Sequence, residues 1–314
     1  MTFNSKPLFK YIGGKSWLKP ALVSSINDVL KHNDKLKIDT YVEPFAGGLG
    51  AFFNIHSVLS QYGIKKIILN DINYPIINFY NLVFKEPSLL IKAYIDIEKE
   101  FEKTFPINKV KNHIYTKEEL LKSNDFFISI RKKFNSIKNN NQDKDIQLAA
   151  CLLFLQSHSF NGIYRENLKG EYNTPFNWSA KTFTMDSIET KVMTAHNVFN
   201  QFEVNLLNKS FENLSFNKHS LYYLDPPYYN EDISENKYNK NTFDFSKQEE
   251  LIEKIKECNF IYSNHDSKEL LKIFNDKIDK NLKIEKISRK NIISSSKESR
   301  KTDKVEILVT HKLK

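Results

Sequence analysis

The feature that most constrains this chain is a strand that stops abruptly. The run Leu221-Tyr222-Tyr223-Leu224 has the unbroken apolar character of a buried strand, and Asp225-Pro226-Pro227-Tyr228-Tyr229 follows it directly. Two consecutive prolines end the ladder, because neither has an N–H to give it. The backbone is therefore stiff just past the strand end, where it presents one carboxylate, carbonyl oxygens and an aromatic ring. A carboxylate and a carbonyl can accept both hydrogens of a planar amino group. A ring beside them can stack on the flat base that carries it, and together they suit a pocket for an extruded base. Asp-Pro-Pro-Tyr also suits a plain surface turn, and both readings stand at this point.

Glycine usage narrows the choice. The 314 residues include only eight glycines, well under the ~7% of average usage. Five of the eight sit in two clusters, Gly13-Gly14 and Gly47-Gly48-Gly50. In a chain so sparing, glycine is expected where backbone turns sharply or approaches a ligand. Around the second cluster, Thr40-Tyr41-Val42-Glu43-Pro44-Phe45-Ala46 reads as a strand leading into a glycine turn, and Ala51 to Leu59 as an apolar helix. About 20 residues after the turn, Ile67-Ile68-Leu69-Asn70-Asp71 reads as a second strand ending in an acid. That order is the nucleotide half of a doubly wound sheet, in which the acid accepts hydrogen bonds from ribose hydroxyls. The spacing is not Gly-x-Gly-x-x-Gly, which favours a smaller adenosyl ligand over a dinucleotide. A glycine-tolerant connection in some other α/β protein is the alternative. The first cluster lies between Lys10 and Lys15 without Walker spacing, and a helix from Leu18 to Leu30 is expected after it.

From Tyr74 to about Lys144 the pattern turns helical. Leu90, Tyr94, Ile97 and Phe101 share one face, as do Phe127, Ile130, Phe134 and Ile137, with Arg131, Lys132 and Lys133 expected opposite the latter. Asp145 is expected to cap an apolar helix through Gln156. The stretch Ser159 to Phe176 reads as a loop and hairpin turning at Lys169-Gly170. Its aromatics, amides and single arginine could intercalate, pair with base edges and hold phosphates. From about Phe183 the α/β character returns. Strands are expected at Val204–Leu207, Asn259–Asp266, Leu282–Ser288 and Val305–His311, and a capping box at Ser246-x-x-Glu249 opens a helix to Glu257.

Lys+Arg 47 against Asp+Glu 38 leaves a net charge of +9, which suits a polyanionic partner or simply reflects a Lys- and Asn-rich composition. No run of 18 apolar residues is present, so no membrane span is expected. Met1 to Lys10 lacks the apolar core of a signal peptide. Cys151 and Cys258 read as reduced, buried thiols, pointing to the cytoplasm. No Cys/His cluster has metal spacing, so no metal is expected.

Taken together, Phe9-Lys10-Tyr11-Ile12-Gly13-Gly14-Lys15, the glycine turn, the Asn161-Gly162-Ile163-Tyr164-Arg165 hairpin, Asp225-Pro226-Pro227-Tyr228 and Ser263-Asn264-His265-Asp266 resemble the Dam family of DNA adenine-N6 methyltransferases, in the alpha-group motif order. The likeness runs to Lys304-Val305-Glu306-Ile307-Leu308. It implies an α/β fold: a Rossmann-like, S-adenosylmethionine-dependent methyltransferase sheet with a reversed last strand and an inserted, mainly helical target-recognition domain carrying the hairpin. The catalytic domain would be residues 1–73 and 185–314, and the insert residues 74–184. The resemblance implies methyl transfer from S-adenosylmethionine, leaving S-adenosylhomocysteine, to N6 of a flipped adenine in duplex DNA. Tyr11, Lys15, Phe45, Gly47, Gly50, Asp71, Phe211 and Asp225 would hold the cofactor. Asp225, Pro226, Pro227 and Tyr228 would be catalytic. Lys10, Arg131, Phe160, Asn161, Ile163, Arg165, Asn167 and Pro175 would meet DNA, favouring the site GATC. Tyr11 stands where tryptophan is common, Phe160 where tyrosine is usual, and Ile163 in place of leucine. A monomer, alone or alongside a cognate restriction endonuclease, is expected. Another DNA site, RNA, a protein amide, or silent binding without catalysis are the alternatives.

Overall fold

A computed structural model describes residue 8 and residues 16–31, 37–104, 116–139, 145–178, 185–229, 243–278, 282–289 and 304–313. The expected site residues Lys10, Tyr11 and Lys15 lie outside these, as do the polar stretch 231–241 and the basic stretch 294–303. The chain divides into two compact units, one of residues 1–16, 47–54 and 73–201, the other of 17–46, 55–72 and 202–314.

The second unit carries a seven-stranded sheet. Its strands are β1 (Thr40–Glu43), β2 (Lys66–Asn70), β3 (Glu203–Leu207), β4 (Ser220–Leu224), β5 (Asn259–His265), β6 (Leu282–Arg289) and β7 (Lys304–His311), in the order β3-β2-β1-β4-β5-β7-β6. The first five run parallel, and β7 is antiparallel to both β5 and β6. The reversed last strand is therefore present, wedged between its neighbours. β1 and β4 are buried at every position and β5 at all but its last, which is why they read as continuous apolar runs rather than alternating ones. From β1 the order grows through β2 to β3 on one side, and from β4 to β5 on the other. The β1–β4 boundary is thus a topological switch point, where crevices open at the carboxyl ends of the strands.

Strand pleating sorts the side chains. Tyr222, Leu224, Phe260, Tyr262, Ile307 and Val309 pack with Leu251, Ile252 and Ile255 of a helix spanning Phe245–Ile255 and Phe274 of another, Lys268–Lys277. On the opposite face, Thr310 Oγ1 meets Ser25 Oγ at 3.0 Å, on a helix spanning Lys19–Leu30. Ser246 is not the cap of the Phe245–Ile255 helix. Asp244 is, accepting from the Lys247 N–H at 3.1 Å, while Ser246 Oγ donates to the same carboxylate at 2.8 Å. The helix starts earlier than the capping box implies because Phe245 is drawn in, its ring 5.1 Å from Tyr229.

The first unit is helical. Helices span Tyr74–Lys85, Pro87–Thr104, Lys117–Asn139, Asp145–His158 and Met185–Phe199. The Asp145–His158 helix is buried from Leu148 onward and packs on the three that precede it. Leu90, Tyr94 and Phe101 are buried as expected, and so are Phe127, Ile130, Phe134 and Ile137. Ile97 is only half-buried, and Glu98 is the buried neighbour, 2.7 Å from His158 Nε2. Asp145 lies inside its helix rather than capping it, and its carboxylate accepts from the Tyr74 hydroxyl. The Ser159–Phe176 stretch closes as a hairpin through bridges Ser159–Phe176 and Glu166–Tyr172.

Candidate functional site

The carboxyl ends of the parallel strands gather the expected site residues of the sheet unit. Phe45 follows β1, Asp71 follows β2, Phe211 follows β3 and Asp225 follows β4. Asn70 stitches three of these segments together. Its amide nitrogen donates to the carbonyls of Pro44 and Lys209, both at 2.9 Å, and its oxygen accepts from the Lys209 N–H at 3.0 Å. The backbone of Asp71 is held at both ends, its N–H on the Leu207 carbonyl at 3.1 Å and its carbonyl on Asn208 Nδ2 at 2.8 Å. Phe45, Phe211 and Phe243 form a ring trio with centroids 5.4–5.5 Å apart. Gly47 and Gly50 belong to the helical unit. There Gly47 has φ 48°, Leu49 has φ 57°, and the Gly48 carbonyl accepts from the buried Tyr80 hydroxyl at 2.9 Å. The left-handed turn that glycine permits is thus present at Gly47.

Past β4, the Asp225–Tyr229 turn is gripped from its backbone and its rings. Gln248, fully buried, donates to the Pro227 carbonyl at 3.0 Å and accepts from Tyr262. Tyr262 in turn accepts from Asn264 Nδ2 at 2.9 Å, and Asn264 Oδ1 accepts from the Tyr229 N–H at 3.1 Å. This chain of groups fixes the backbone on both sides of Tyr228. The Pro226 carbonyl accepts no hydrogen bond from any described residue. The Tyr228 ring is set by its hydroxyl, which donates to Glu306 Oε2 at 2.7 Å, and by an edge contact with His265 at 4.7 Å. Burial, then the charges of Asp225 and Glu306, push that hydroxyl far above the ordinary tyrosine value, so it stays a donor. Ser263 Oγ donates to Asp225 Oδ1 at 2.9 Å.

Sequence reasoning missed Gln248, Glu306, Asn264 and Asn70 as supports of this end. The signal was present in part, since Ser263-Asn264 places two buried polar residues side by side directly after Phe260-Ile261-Tyr262. Cys151 and Cys258 are buried, and burial pushes their thiols up to about 11 and about 12, so neither is poised as a nucleophile.

The hairpin is organised differently. Asn161 and Gly162 both take left-handed φ, 57° and 61°, and a Cβ on Gly162 would come within 3.1 Å of the Gln156 carbonyl. Phe160 is 54% exposed, and Arg165 and Pro175 are exposed as well. Ile163 is half-buried. Arg165 lies along its own hairpin, Nε on Asn173 Oδ1 at 2.8 Å and a terminal nitrogen on the Asn173 carbonyl at 3.2 Å. Asn167 builds the turn: its Oδ1 accepts from the N–H groups of Lys169 and Glu171 at 2.9 and 3.0 Å, and its amide donates to Glu171 at 2.9 Å. Arg131 does not lie opposite the packed face with Lys132 and Lys133. It is half-buried and donates to the Thr174 carbonyl at 3.3 Å. Asn135 on the same helix pairs with both the N–H and the carbonyl of Tyr172, at 2.8 and 3.1 Å, and Lys138 reaches the Gly170 carbonyl at 2.6 Å. Residues at these i, i+4 and i+7 positions share a helix face, and this one braces the hairpin.

No helix among the described residues is long and apolar enough to cross a membrane. A family model described as D12 class N6 adenine-specific DNA methyltransferase matches residues 11–292. A type II methyltransferase, M.MjaIII of Methanocaldococcus jannaschii, is 29% identical over 252 residues, covering 78% of this chain and 77% of its own. A DNA adenine methylase of Haemophilus influenzae is 26% identical over 295 residues, 91% of this chain and 88% of its own. A type II methyltransferase of Lactococcus lactis, M1.LlaDCHI, is 23% identical over 229 residues, 72% of this chain and 66% of its own.

Proposed function

The chain belongs to the D12 class N6 adenine-specific DNA methyltransferases, and from that membership we propose that the end of β4 is where the adenine amino group is methylated. Asp225 and the Pro226 carbonyl each accept a hydrogen bond from one of its two N–H groups. An amino nitrogen conjugated to the ring is a poor nucleophile, and these acceptors draw it toward tetrahedral geometry with the lone pair exposed. Bound S-adenosylmethionine would supply an electrophilic sulfonium methyl to that lone pair and leave as neutral S-adenosylhomocysteine, the methylated nitrogen losing one of its protons to solvent. The residues of the sheet unit fit such a group: an acid at the end of β2 for ribose hydroxyls, and the Phe45 and Phe211 rings for an adenine. Positioning of this kind can lower a barrier by about 7–11 kcal/mol. The Tyr228 ring, held by Glu306, stacks on the extruded base and offsets part of its lost stacking.

Residues 74–184 act as the recognition domain of a catalytic domain formed by 1–73 and 185–314. Phe160, Asn161, Ile163, Arg165 and Pro175 read duplex DNA with the site GATC, Arg165 by a fork on guanine O6 and N7. Arg131 and Asn167 serve mainly as hairpin supports. The protein works in the cytoplasm as a monomer, with a restriction endonuclease as a candidate partner because two relatives carry type II names. The observation that carries this reading is Asp225 at the topological switch point, followed by a turn whose backbone is gripped on both sides of Tyr228. The test incubates the purified protein with labelled S-adenosylmethionine and GATC duplexes, duplexes altered at one base, and RNA. N6-methyladenine confined to GATC duplexes supports the reading. Equal labelling of altered duplexes removes the GATC assignment, and label in RNA removes the duplex-DNA assignment.

A further inference from the structure

Strand register brings two buried hydroxyls to Asp225. β4 and β5 pair with Tyr223 opposite Ile261 and Leu224 opposite Tyr262, so Asp225 falls beside Ser263 on the next rung. Pleating puts Tyr223, Asp225 and Ser263 on one face of the sheet. Tyr223 is 2% exposed and Ser263 fully buried. The Tyr223 hydroxyl lies 3.1 Å from Ser263 Oγ, which lies 2.9 Å from Asp225 Oδ1. The Leu224 carbonyl is a second acceptor near Ser263, but at 3.5 Å. The shorter, charge-assisted bond to the carboxylate is the stronger.

A serine has one proton to give. With that proton on Asp225, Ser263 must accept from Tyr223, whose hydroxyl is kept protonated by burial and then by the Asp225 charge. The two hydroxyls thus form a one-way line, Tyr223 to Ser263 to Asp225. We infer that Ser263, oriented by Tyr223, is a positioning residue that fixes the Asp225 carboxylate for the transferred methyl's acceptor. This rests on Asp225 being the amino-group acceptor proposed above. Neither hydroxyl touches substrate. Their loss removes the bond to Asp225 Oδ1 and loosens the orientation of the carboxylate, which lowers the rate of the chemical step and not the affinity for either ligand.

The experiment measures single-turnover methyl transfer at saturating S-adenosylmethionine and GATC duplex for Ser263→Ala, Ser263→Thr, Tyr223→Phe and Asp225→Ala. S-adenosylhomocysteine and duplex affinities and thermal melting are measured in parallel. The expected result is a rate loss of about 10- to 100-fold for Ser263→Ala, the scale on which losing a hydrogen bond that orients a functional side chain is felt. Threonine, which keeps the hydroxyl, restores most of it, and Tyr223→Phe loses several-fold, with both affinities within about twofold throughout. A wild-type rate in Ser263→Ala beside a dead Asp225→Ala overturns the inference alone. Parallel loss of rate and of both affinities also overturns it, by making Ser263 a structural residue. An active Asp225→Ala overturns the underlying assignment instead. Should Ser263→Ala fail to fold, Tyr223→Phe decides, since it removes only an oxygen, and a wild-type rate there overturns the inference.

Discussion

The strand-end turn and the hairpin are both rigid, but they are rigid in different atoms. At the end of β4 the side chains are fixed along with the backbone. Asp225 is bonded to Ser263, Tyr228 to Glu306, and the Pro227 carbonyl to a fully buried glutamine. In the hairpin the backbone is fixed by Asn135, Lys138 and Arg131 from one helix face, while Phe160, Arg165 and Pro175 remain exposed. The contrast fits two tasks. A chemical step needs its groups held to within fractions of an ångström. Reading base edges needs a fixed register with side chains able to exchange one partner for another, as Arg165 must exchange Asn173 for a guanine.

Four substitutions would break or sharpen that contrast. Asp225→Ala should have the largest effect, lowering single-turnover transfer by on the order of a thousandfold or more while duplex affinity stays within a few-fold. A residual rate near wild type would leave the turn without its assigned role. Asp71→Ala should weaken S-adenosylmethionine binding by about 10- to 150-fold, the equivalent of ~1.5–3 kcal/mol for lost charge-assisted hydrogen bonds, as read by calorimetry. Unchanged affinity would take Asp71 out of the site. Arg165→Ala should reduce preference at a single guanine by about 5- to 150-fold, or ~1–3 kcal/mol, measured on duplexes altered one base at a time. A uniform loss on every duplex, with a salt slope about one unit smaller, would make it a phosphate anchor. Asn135→Ala should have the smallest reach. It strips two hydrogen bonds from Tyr172, at about 1 kcal/mol each, so amide exchange should quicken in the hairpin and stay unchanged in β4 and β5. Equal quickening in the sheet would contradict a locally braced hairpin.

Much of this was legible because it is local. The apolar runs of β4 and β5, the glycine turn, Asp71 at a strand end and the Asp225-Pro226-Pro227 stop are all written in consecutive residues. The supports were not, since Gln248 lies 21 residues from Pro227 and Glu306 lies 78 from Tyr228, and only the sheet brings them together. Two misreadings have local causes. Ser246 and Asp244 are both good caps two residues apart, and the packing of Phe245 on Tyr229 chose the earlier one. Arg131-Lys132-Lys133 looked like one basic face, but adjacent helical residues point about 100° apart, so Arg131 could turn to the hairpin while its neighbours met solvent.

The division of labour itself is tested most directly by comparing two active variants, Tyr228→Phe and Arg165→Ala. kcat/KM would be measured for each on GATC and on duplexes altered at each base in turn. Tyr228→Phe keeps the ring but loses its bond to Glu306. It should lower every duplex by the same factor, leaving the ratios between sequences intact, while Arg165→Ala should collapse the ratio at one guanine. Altered ratios in Tyr228→Phe, or unaltered ones in Arg165→Ala, would contradict that division.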